Sequence, residues 1–254
     1  CMTQLGHEVV GYDTDVAKIE GLSAGSPTFF EPGLPELLGQ TLPTGRLRFT
    51  SDPADLTGSE IVFICVGTPQ RRGELAADTS YVYASTRTVA KHVSGDILVV
   101  GKSTVPVGTA ARLVELLAEQ QPDAELAWNP EFLREGYAVN DTLHPDRLVF
   151  GVASERAETL LREVYTTPIA EGSPVVVTDF ETAELVKAAA NAFLATKISF
   201  INAMAEVCEA VGGDVAQLAD AIGHDDRIGR KFLGAGLGFG GGCLPKDIRA
   251  FMAR

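Results

Sequence analysis

From Val9 to about Val177, short β-rich runs alternate with helical stretches, and no other feature constrains the fold as strongly. The β-rich runs are EVVGYD, RLRFT, EIVFICVG, DILVVGKST, AELAWNP, RLVFGVA and SPVVVTD. Between them come VAKIEGL, LPELLGQTL, YVYASTRTVAKHV, TAARLVELLAEQQ and ERAETLLREVY. Alternation of this kind builds an α/β, doubly wound, mostly parallel sheet, because parallel neighbours need a crossover long enough to hold a helix. The apolar runs are nearly continuous, as strands covered on both faces require. After Asp179 the rhythm changes. FETAELVKAAANAFLATKISFINAMAEVCEAVG predicts one long helix, rich in helix formers, free of proline and closed by Gly212 and Gly213. Its length suits a connection between domains or a subunit interface. A shorter helix over DVAQLADAIG, a Gly-rich segment and a final helix from Pro245 follow. The expected organisation is a sheet domain over 1–178, a connecting helix over 179–212 and a small helical region over 213–254.

Composition excludes several classes of partner. Lys and Arg number 21 against 34 Asp and Glu, a formal net charge of −13, and no basic cluster stands out, which disfavours nucleic acid and anionic membrane surfaces. No apolar run approaches the roughly 18–20 residues that span a bilayer. The N-terminus lacks a signal-peptide layout, so a cytoplasmic location is expected. Cys1, Cys65, Cys208 and Cys243 show neither CxxC nor zinc-like spacing, which predicts free thiols and no metal. Cys65, within IVFICV, and Cys208, within a helical pattern, fit buried, inert thiols. Cys243 sits in neither setting.

Several segments carry candidate chemistry. The first strand closes on Asp13, and an acid at the tip of a dinucleotide fold's second strand holds ribose hydroxyls, although a turn residue would look the same. A GxGxxG turn belongs about 20 residues ahead of such an acid. Only twelve residues precede Asp13, so the chain is expected to begin inside its first helix, with the first strand and phosphate loop missing. In GLGFGGGCLPKD, Cys243 precedes Pro245, a residue favoured in the first helical turn. The thiol would then lie at a helix N-terminus beside Lys246, where dipole and cation favour thiolate, and the glycines would let backbone approach a ligand. A glycine hinge with an incidental cysteine is the plainer alternative. Lys187 and Asn191 share one face of the long helix among apolar residues. The lysine there either reaches to solvent or is held in a site, where ammonium and amide would stabilise an oxyanion. In WNPEFLREG, Asn129 suggests a helix cap, with Pro130 in the first turn and Glu131 and Glu135 one turn apart. Trp128 and Phe132 beside them would wall a carboxylate able to accept a proton. VGTP (66–69) and KSTVPVGT (102–109) follow apolar strands, where open α/β sheets bind ligands.

Taken in order, these segments resemble the UDP-glucose/GDP-mannose dehydrogenase family, whose members use NAD to oxidise a sugar nucleotide's 6-hydroxyl to a carboxylate. GFGGGCLPKD looks like that family's catalytic-cysteine motif; FICVGTP, KSTVPVGT, NPEFLREG and ELVKAAANAF match further segments, so the resemblance covers essentially the whole chain. It implies a Rossmann-type NAD-binding domain, the long helix and a helical dimerisation region. It implies Cys243 as nucleophile and Asp247 as an aid to proton transfer or water activation. Lys187 and Asn191 would stabilise a thiohemiacetal oxyanion, Glu131 would assist thioester hydrolysis, and Thr104 would position a water. Asp13 and Lys18 match the pair on the adenosine ribose; Thr68, Thr104 and Glu135 match residues lining the rest of NAD. Glu131, Phe132, Leu133, Lys187, Asn191, Phe232, Leu233, Phe239, Gly240 and Gly241 match sugar-nucleotide contacts. Arg227 matches an arginine that family dimers donate to the neighbouring subunit's site, which implies a homodimer through the long helix. UDP-glucose is the expected substrate and GDP-mannose the near rival. A simple hydroxyacid dehydrogenase or a nucleotide-binding module without catalysis would leave Cys243 unused. Gly234 departs from the pattern, standing where many relatives carry a substrate-contacting lysine. The family's usual C-terminal nucleotide-binding domain is also missing, so residues 1–254 alone are expected to show negligible turnover.

Overall fold

The computed structural model describes residues 1–238 and 242–253. In chain order the elements are β1 (Val9–Tyr12), α1 (Val16–Ser23), α2 (Leu34–Thr41), β2 (Leu47–Thr50), β3 (Ile61–Ile64), α3 (Ser80–His92), β4 (Leu98–Gly101), α4 (Thr109–Ala118), β5 (Glu125–Trp128), α5 (Ala138–Leu143), β6 (Leu148–Val152), α6 (Glu155–Val164), α7 (Thr166–Ala170), β7 (Val175–Thr178), α8 (Phe180–Val211), α9 (Val215–Gly223) and α10 (Cys243–Met252). They fall into two compact units, one of Cys1–Thr68 with Thr79–Glu184 and one of Pro69–Asp78 with Leu185–Arg254.

In the first unit β1 and β2 pair in parallel, and β3, β4, β5, β6 and β7 lie side by side in that order. β3, β4 and β5 are parallel; β6 and β7 are parallel to each other and run the opposite way. The mostly parallel sheet expected from the alternation is present, with its direction reversing once. Leu98, Val99 and Val100 of β4 are fully buried, as an unbroken apolar run covered on both faces should be. Leu98, Val100, Ala127, Leu148 and Phe150 form one core cluster with Ala157, Leu161 and Val164 of α6, whose spacing of four and three residues makes a single apolar stripe. The end of β4 must be glycine: a Cβ on Gly101 would lie 2.1 Å from Cζ3 of the buried Trp128 ring.

The second unit is built on α8, 32 residues long. Ile201 of α8 packs with Ala219 of α9 and with Leu233, and Met204, Val215 and Ile222 close round them. Asp214 caps α9 by accepting from the N–H groups of Ala216 and Gln217. α10 starts at Cys243, two residues ahead of the expected Pro245, because Pro245 fits the third helical position, where its missing N–H costs no bond. Among the described residues no helix is long and apolar enough to cross a membrane.

Candidate active site

The tip of β1 carries the first group. Asp13 Oδ2 accepts from Lys18 Nζ at 2.5 Å and its Oδ1 from the Asp15 N–H at 3.0 Å. Asp15 also caps α1, which directs the first helical turn and Lys18 back over Asp13. Desolvation pushes the Asp13 carboxyl up, but the hydrogen bonds from Lys18 and Asp15, with the Lys18 charge, outweigh it and hold the group below its ordinary 3.8. The carboxylate stays a third exposed and keeps acceptor capacity for two neighbouring hydroxyls, so the pair fits a ribose.

The loops after β3 and β4 leave the same edge of the sheet because those strands are parallel neighbours. Buried Thr68 donates through Oγ1 to the Thr104 carbonyl at 2.7 Å, and Ser103 Oγ donates to the Val66 carbonyl at 2.6 Å. Thr68 and Thr104 are thereby brought together. Beyond Thr104 the chain enters α4 through Gly108, whose φ of +91° is left-handed and which supplies no side-chain cap. The α4 N-terminus is instead met by Glu184 of α8, accepting from the Gly108 N–H at 2.7 Å and the Ala110 N–H at 2.6 Å. Burial pushes the Glu184 carboxyl above its ordinary value, against these N–H bonds. Cys65, expected to be buried, is exposed at the end of β3. The protein around it still desolvates the thiol and pushes it up, with Lys102 opposing and Glu131 adding to the rise.

The segment after β5 differs from expectation. Residues 129–137 form an irregular loop and turn, and α5 begins only at Ala138. Asn129 is not a helix cap, because its amide is drawn into a buried cluster. Asn129 Oδ1 accepts from Lys102 Nζ at 2.9 Å and from the Tyr165 hydroxyl at 2.7 Å, while Nδ2 donates to the Val149 carbonyl at 3.0 Å. Glu131 and Glu135 therefore do not share a helical face. Half-buried Glu131 accepts from the Leu133 N–H at 2.7 Å, and Glu135 is exposed. Trp128 turns into the core, and Phe132 carries the Arg147 guanidinium 3.7 Å from its ring centre. Leu133 is exposed. α5 is also capped from afar: buried Glu31 accepts from the Gly136 N–H at 2.9 Å and the Ala138 N–H at 2.8 Å.

In the second unit Lys187, Asn191 and Asp247 are 6%, 8% and 2% exposed. The lysine is held inside, not reaching to solvent. Asn191 Nδ2 donates to Asp247 Oδ2 at 2.6 Å. Asp247 Oδ1 meets the Lys246 ammonium at 2.6 Å, an ion pair without hydrogen-bond alignment. Lys246 is thus engaged by its neighbouring acid. Cys243 is exposed and is the first residue of α10, one turn ahead of Asp247. Exposed Arg227 is held in a fork by Asp225, at 3.0 and 2.6 Å. Phe232 is exposed at a φ of 65°, and the Leu233 side chain is spent on the core beside Ile201. Phe239, Gly240 and Gly241 lie outside the described residues. The set can present a thiol at a helix N-terminus, hydrogen-bond donors for developing negative charge, and a buried carboxylate to manage a proton.

Glu31, Glu184 and the Lys102–Asn129–Tyr165 cluster were not foreseen from the sequence. The one local hint was that Gly108 and Tyr137, ahead of α4 and α5, offer no side-chain cap.

Comparison with known proteins places these features in a lineage. The NAD binding domain of the UDP-glucose/GDP-mannose dehydrogenase family matches residues 1–169 and that family's central domain matches residues 181–254. A UDP-glucose 6-dehydrogenase of Rhizobium meliloti (strain 1021) is 48% identical over 99% of the chain and 59% of its own length. The UDP-glucose 6-dehydrogenase TuaD of Bacillus subtilis (strain 168) is 45% identical over 99% of the chain and 55% of its own. The solved structure of a UDP-glucose dehydrogenase from the hyperthermophilic archaeon Pyrobaculum islandicum superposes with a TM-score of 0.93 at 44% identity, over 99% of the chain and 59% of its own. The chain thus spans somewhat more than half the length of these relatives.

Proposed function

The chain belongs to the UDP-glucose/GDP-mannose dehydrogenase family, and from that premise we propose that the protein oxidises the 6-hydroxyl of UDP-glucose to the carboxylate of UDP-glucuronate with NAD as cofactor. The observation that carries this proposal is the buried Asn191–Asp247 hydrogen bond, with Lys187 on the same helix and Cys243 on the same helix as Asp247. A simple hydroxyacid dehydrogenase has no use for that thiol.

Asp13 and Lys18 would hold the adenosine ribose, with Thr68, Thr104 and Glu135 lining the rest of the cofactor. Bound NAD supplies a hydride acceptor, and two molecules used in turn remove the four electrons between alcohol and acid. Cys243 Sγ, as thiolate, adds to the carbonyl carbon of the aldehyde left by the first oxidation, and its oxygen takes the charge. Lys187 and Asn191 donate to that oxygen. The second oxidation leaves a thioester on Sγ. A water held by Thr104 and activated by Glu131 or Asp247 adds to the thioester carbon, the C–S bond breaks, and Cys243 is regenerated. Overall one alcohol, two NAD and one water become one carboxylate, two NADH and three protons. Glu131, Phe132, Leu133, Phe232, Leu233 and the 239–241 loop would contact the sugar nucleotide, Leu233 through its backbone. Free thiols suit a cytoplasmic location.

We also propose a homodimer through α8. Phe193, Phe200 and Val207, each at least 48% exposed, recur at intervals of seven residues along it, the spacing that lines one helix with another. Arg227, exposed and fixed by Asp225, would reach the neighbouring copy's site. Phe200→Glu should leave sedimentation at the monomer mass; an intact dimer would refute this interface. For the reaction itself the test is NADH counted per sugar nucleotide consumed by the full-length protein. Two per UDP-glucose and none with GDP-mannose is the expected outcome. One per sugar, or oxidation of GDP-mannose alone, would overturn the proposal.

A further inference from the structure

We infer that Glu184 is a positioning residue for the loop that carries Thr104, holding it through the N-terminus of α4; this rests on the role proposed above for Thr104. The loop from Lys102 to Gly108 is anchored at both ends. At its start the Lys102 N–H donates to the Ile64 carbonyl at 3.0 Å, and Ser103 and the Thr104 carbonyl bond to the loop after β3. At its end the Thr109 N–H donates within the turn to the Pro106 carbonyl at 3.2 Å, while the N–H groups on either side of it, Gly108 and Ala110, both bond to Glu184. A left-handed residue followed by helical ones turns successive N–H groups into a small anion-binding concavity. Here the protein fills it with its own carboxylate, 2% exposed, from 74 to 76 residues away. An ordinary cap is a Ser, Thr, Asn or Asp supplied by the turn itself. This one comes from α8, and three and seven residues further along that helix, on the same face, stand Lys187 and Asn191. A shift of α8 in the first unit would therefore be felt at Thr104, which lies four residues ahead of Gly108.

The chemistry of the cap predicts how it fails. Two N–H donors need two acceptor oxygens. Glu184→Gln keeps size and shape but turns an amide N–H₂ toward one of them, so one bond becomes a repulsion. Glu184→Asp keeps both oxygens on a shorter stem. Amide hydrogen exchange at Gly108 and Ala110, measured on the full-length protein, should speed up at least about tenfold in the Gln variant and less in the Asp variant. With UDP-glucose, Glu184→Gln should lower kcat about 10- to 100-fold while KM for sugar nucleotide and NAD changes little, since a misplaced group outside the binding contacts acts on the reacting geometry. Glu184→Asp should recover part of the loss. Adding Thr104→Ala should cost no more than about twofold beyond Thr104→Ala alone if both act through one loop.

Unchanged exchange in Glu184→Gln would overturn the cap. Faster exchange with unchanged kcat, or full additivity with Thr104→Ala, would overturn the positioning role. A wild-type protein that reduces no NAD with any sugar nucleotide would instead refute the proposed function, and the exchange measurement would still decide whether Glu184 holds the loop.

Discussion

Replacing Asn191 by Ala tests the bond on which the proposed site most depends. Asn191 Nδ2 lies 2.6 Å from Asp247 Oδ2, and the two residues are 8% and 2% exposed. The other oxygen of Asp247 is taken by Lys246, so truncation leaves Oδ2 without its amide donor and poorly placed to recruit water. Hydrogen bonds to charged groups contribute about 1.5–3 kcal/mol, and stranding a buried acceptor costs its desolvation besides. A loss of about 2–3 kcal/mol is therefore expected on the unfolding of the second unit, well above the ~1 kcal/mol typical of a point substitution. Urea unfolding followed by circular dichroism should show a lower midpoint at unchanged slope. A second arm separates stability from chemistry. Under conditions where the variant is fully folded, kcat should still fall about tenfold or more, because the proposed mechanism also uses the amide as an oxyanion donor. A midpoint within about 0.5 kcal/mol of wild type would show that the bond has no more value than an exposed pair. A normal kcat in a destabilised protein would remove Asn191 from the catalytic set and leave it a purely structural residue.

Thiol alkylation should rank the cysteines. Cys243, exposed at a helix start, should react with iodoacetamide first. Cys65 is exposed but its thiol is pushed up by desolvation, so it should react more slowly, and buried Cys208 slowest; peptide mapping that finds Cys65 labelled as fast as Cys243 would contradict this order. Gly101→Ala should cost at least about 1–3 kcal/mol, read as a fall in melting temperature, because the new Cβ would meet the Trp128 ring at 2.1 Å; an unchanged melting temperature would mean that the ring moves freely. The bidentate Arg134–Asp141 pair sets an acid limb. The hydrogen bond from Arg134, ahead of the opposing desolvation, holds the Asp141 carboxyl below its ordinary 3.8. A group depressed in the folded state stabilises above its unfolded value and loses that stabilisation as pH falls through the folded one. Arg134 is 60% exposed, so solvent screening keeps the contribution small. The gap in urea midpoint between wild type and Arg134→Ala should be present at pH 6 and close toward pH 3; a gap that widened on acidification would reverse the sign argued here.

Period and punctuation made the frame legible. All seven β-rich runs became strands, and the proline-free stretch closed by Gly212 became the 32-residue α8. In both cases the signal is local: an apolar run buried on two faces, or a helix-former run ended by glycine, means the same wherever it docks. Asp13 was readable as an acid closing a strand, whereas Lys18 came only from the family resemblance; Asp15, capping α1, is what turns Lys18 back to it. WNPEFLREG misled because its local signals were sound and lost to distant ones. Asn129 can cap a helix, but the half-buried Lys102 ammonium and the buried Tyr165 hydroxyl, 27 and 36 residues away, compete for the same amide. A half-buried ammonium and a buried hydroxyl left unpaired would together cost more than a missing cap.

The same imbalance explains why Glu31 and Glu184 could not be seen in advance, and it gives them a common purpose. Each of the loops assigned the water chemistry, one with Thr104 and one with Glu131, runs into a helix whose own entry residue offers no side-chain cap. Each helix is capped instead by a buried carboxylate from a different part of the first unit. A local cap would stabilise the helix and leave the loop ahead of it able to shift as a piece. A remote cap ties the loop's exit to another element, so its position is decided by tertiary packing. Reacting groups must be held within a fraction of an ångström, and loops following strands have little else to hold them. The cost is two carboxylates taken out of water, each offset by two backbone N–H bonds that those helix ends would otherwise have left to solvent.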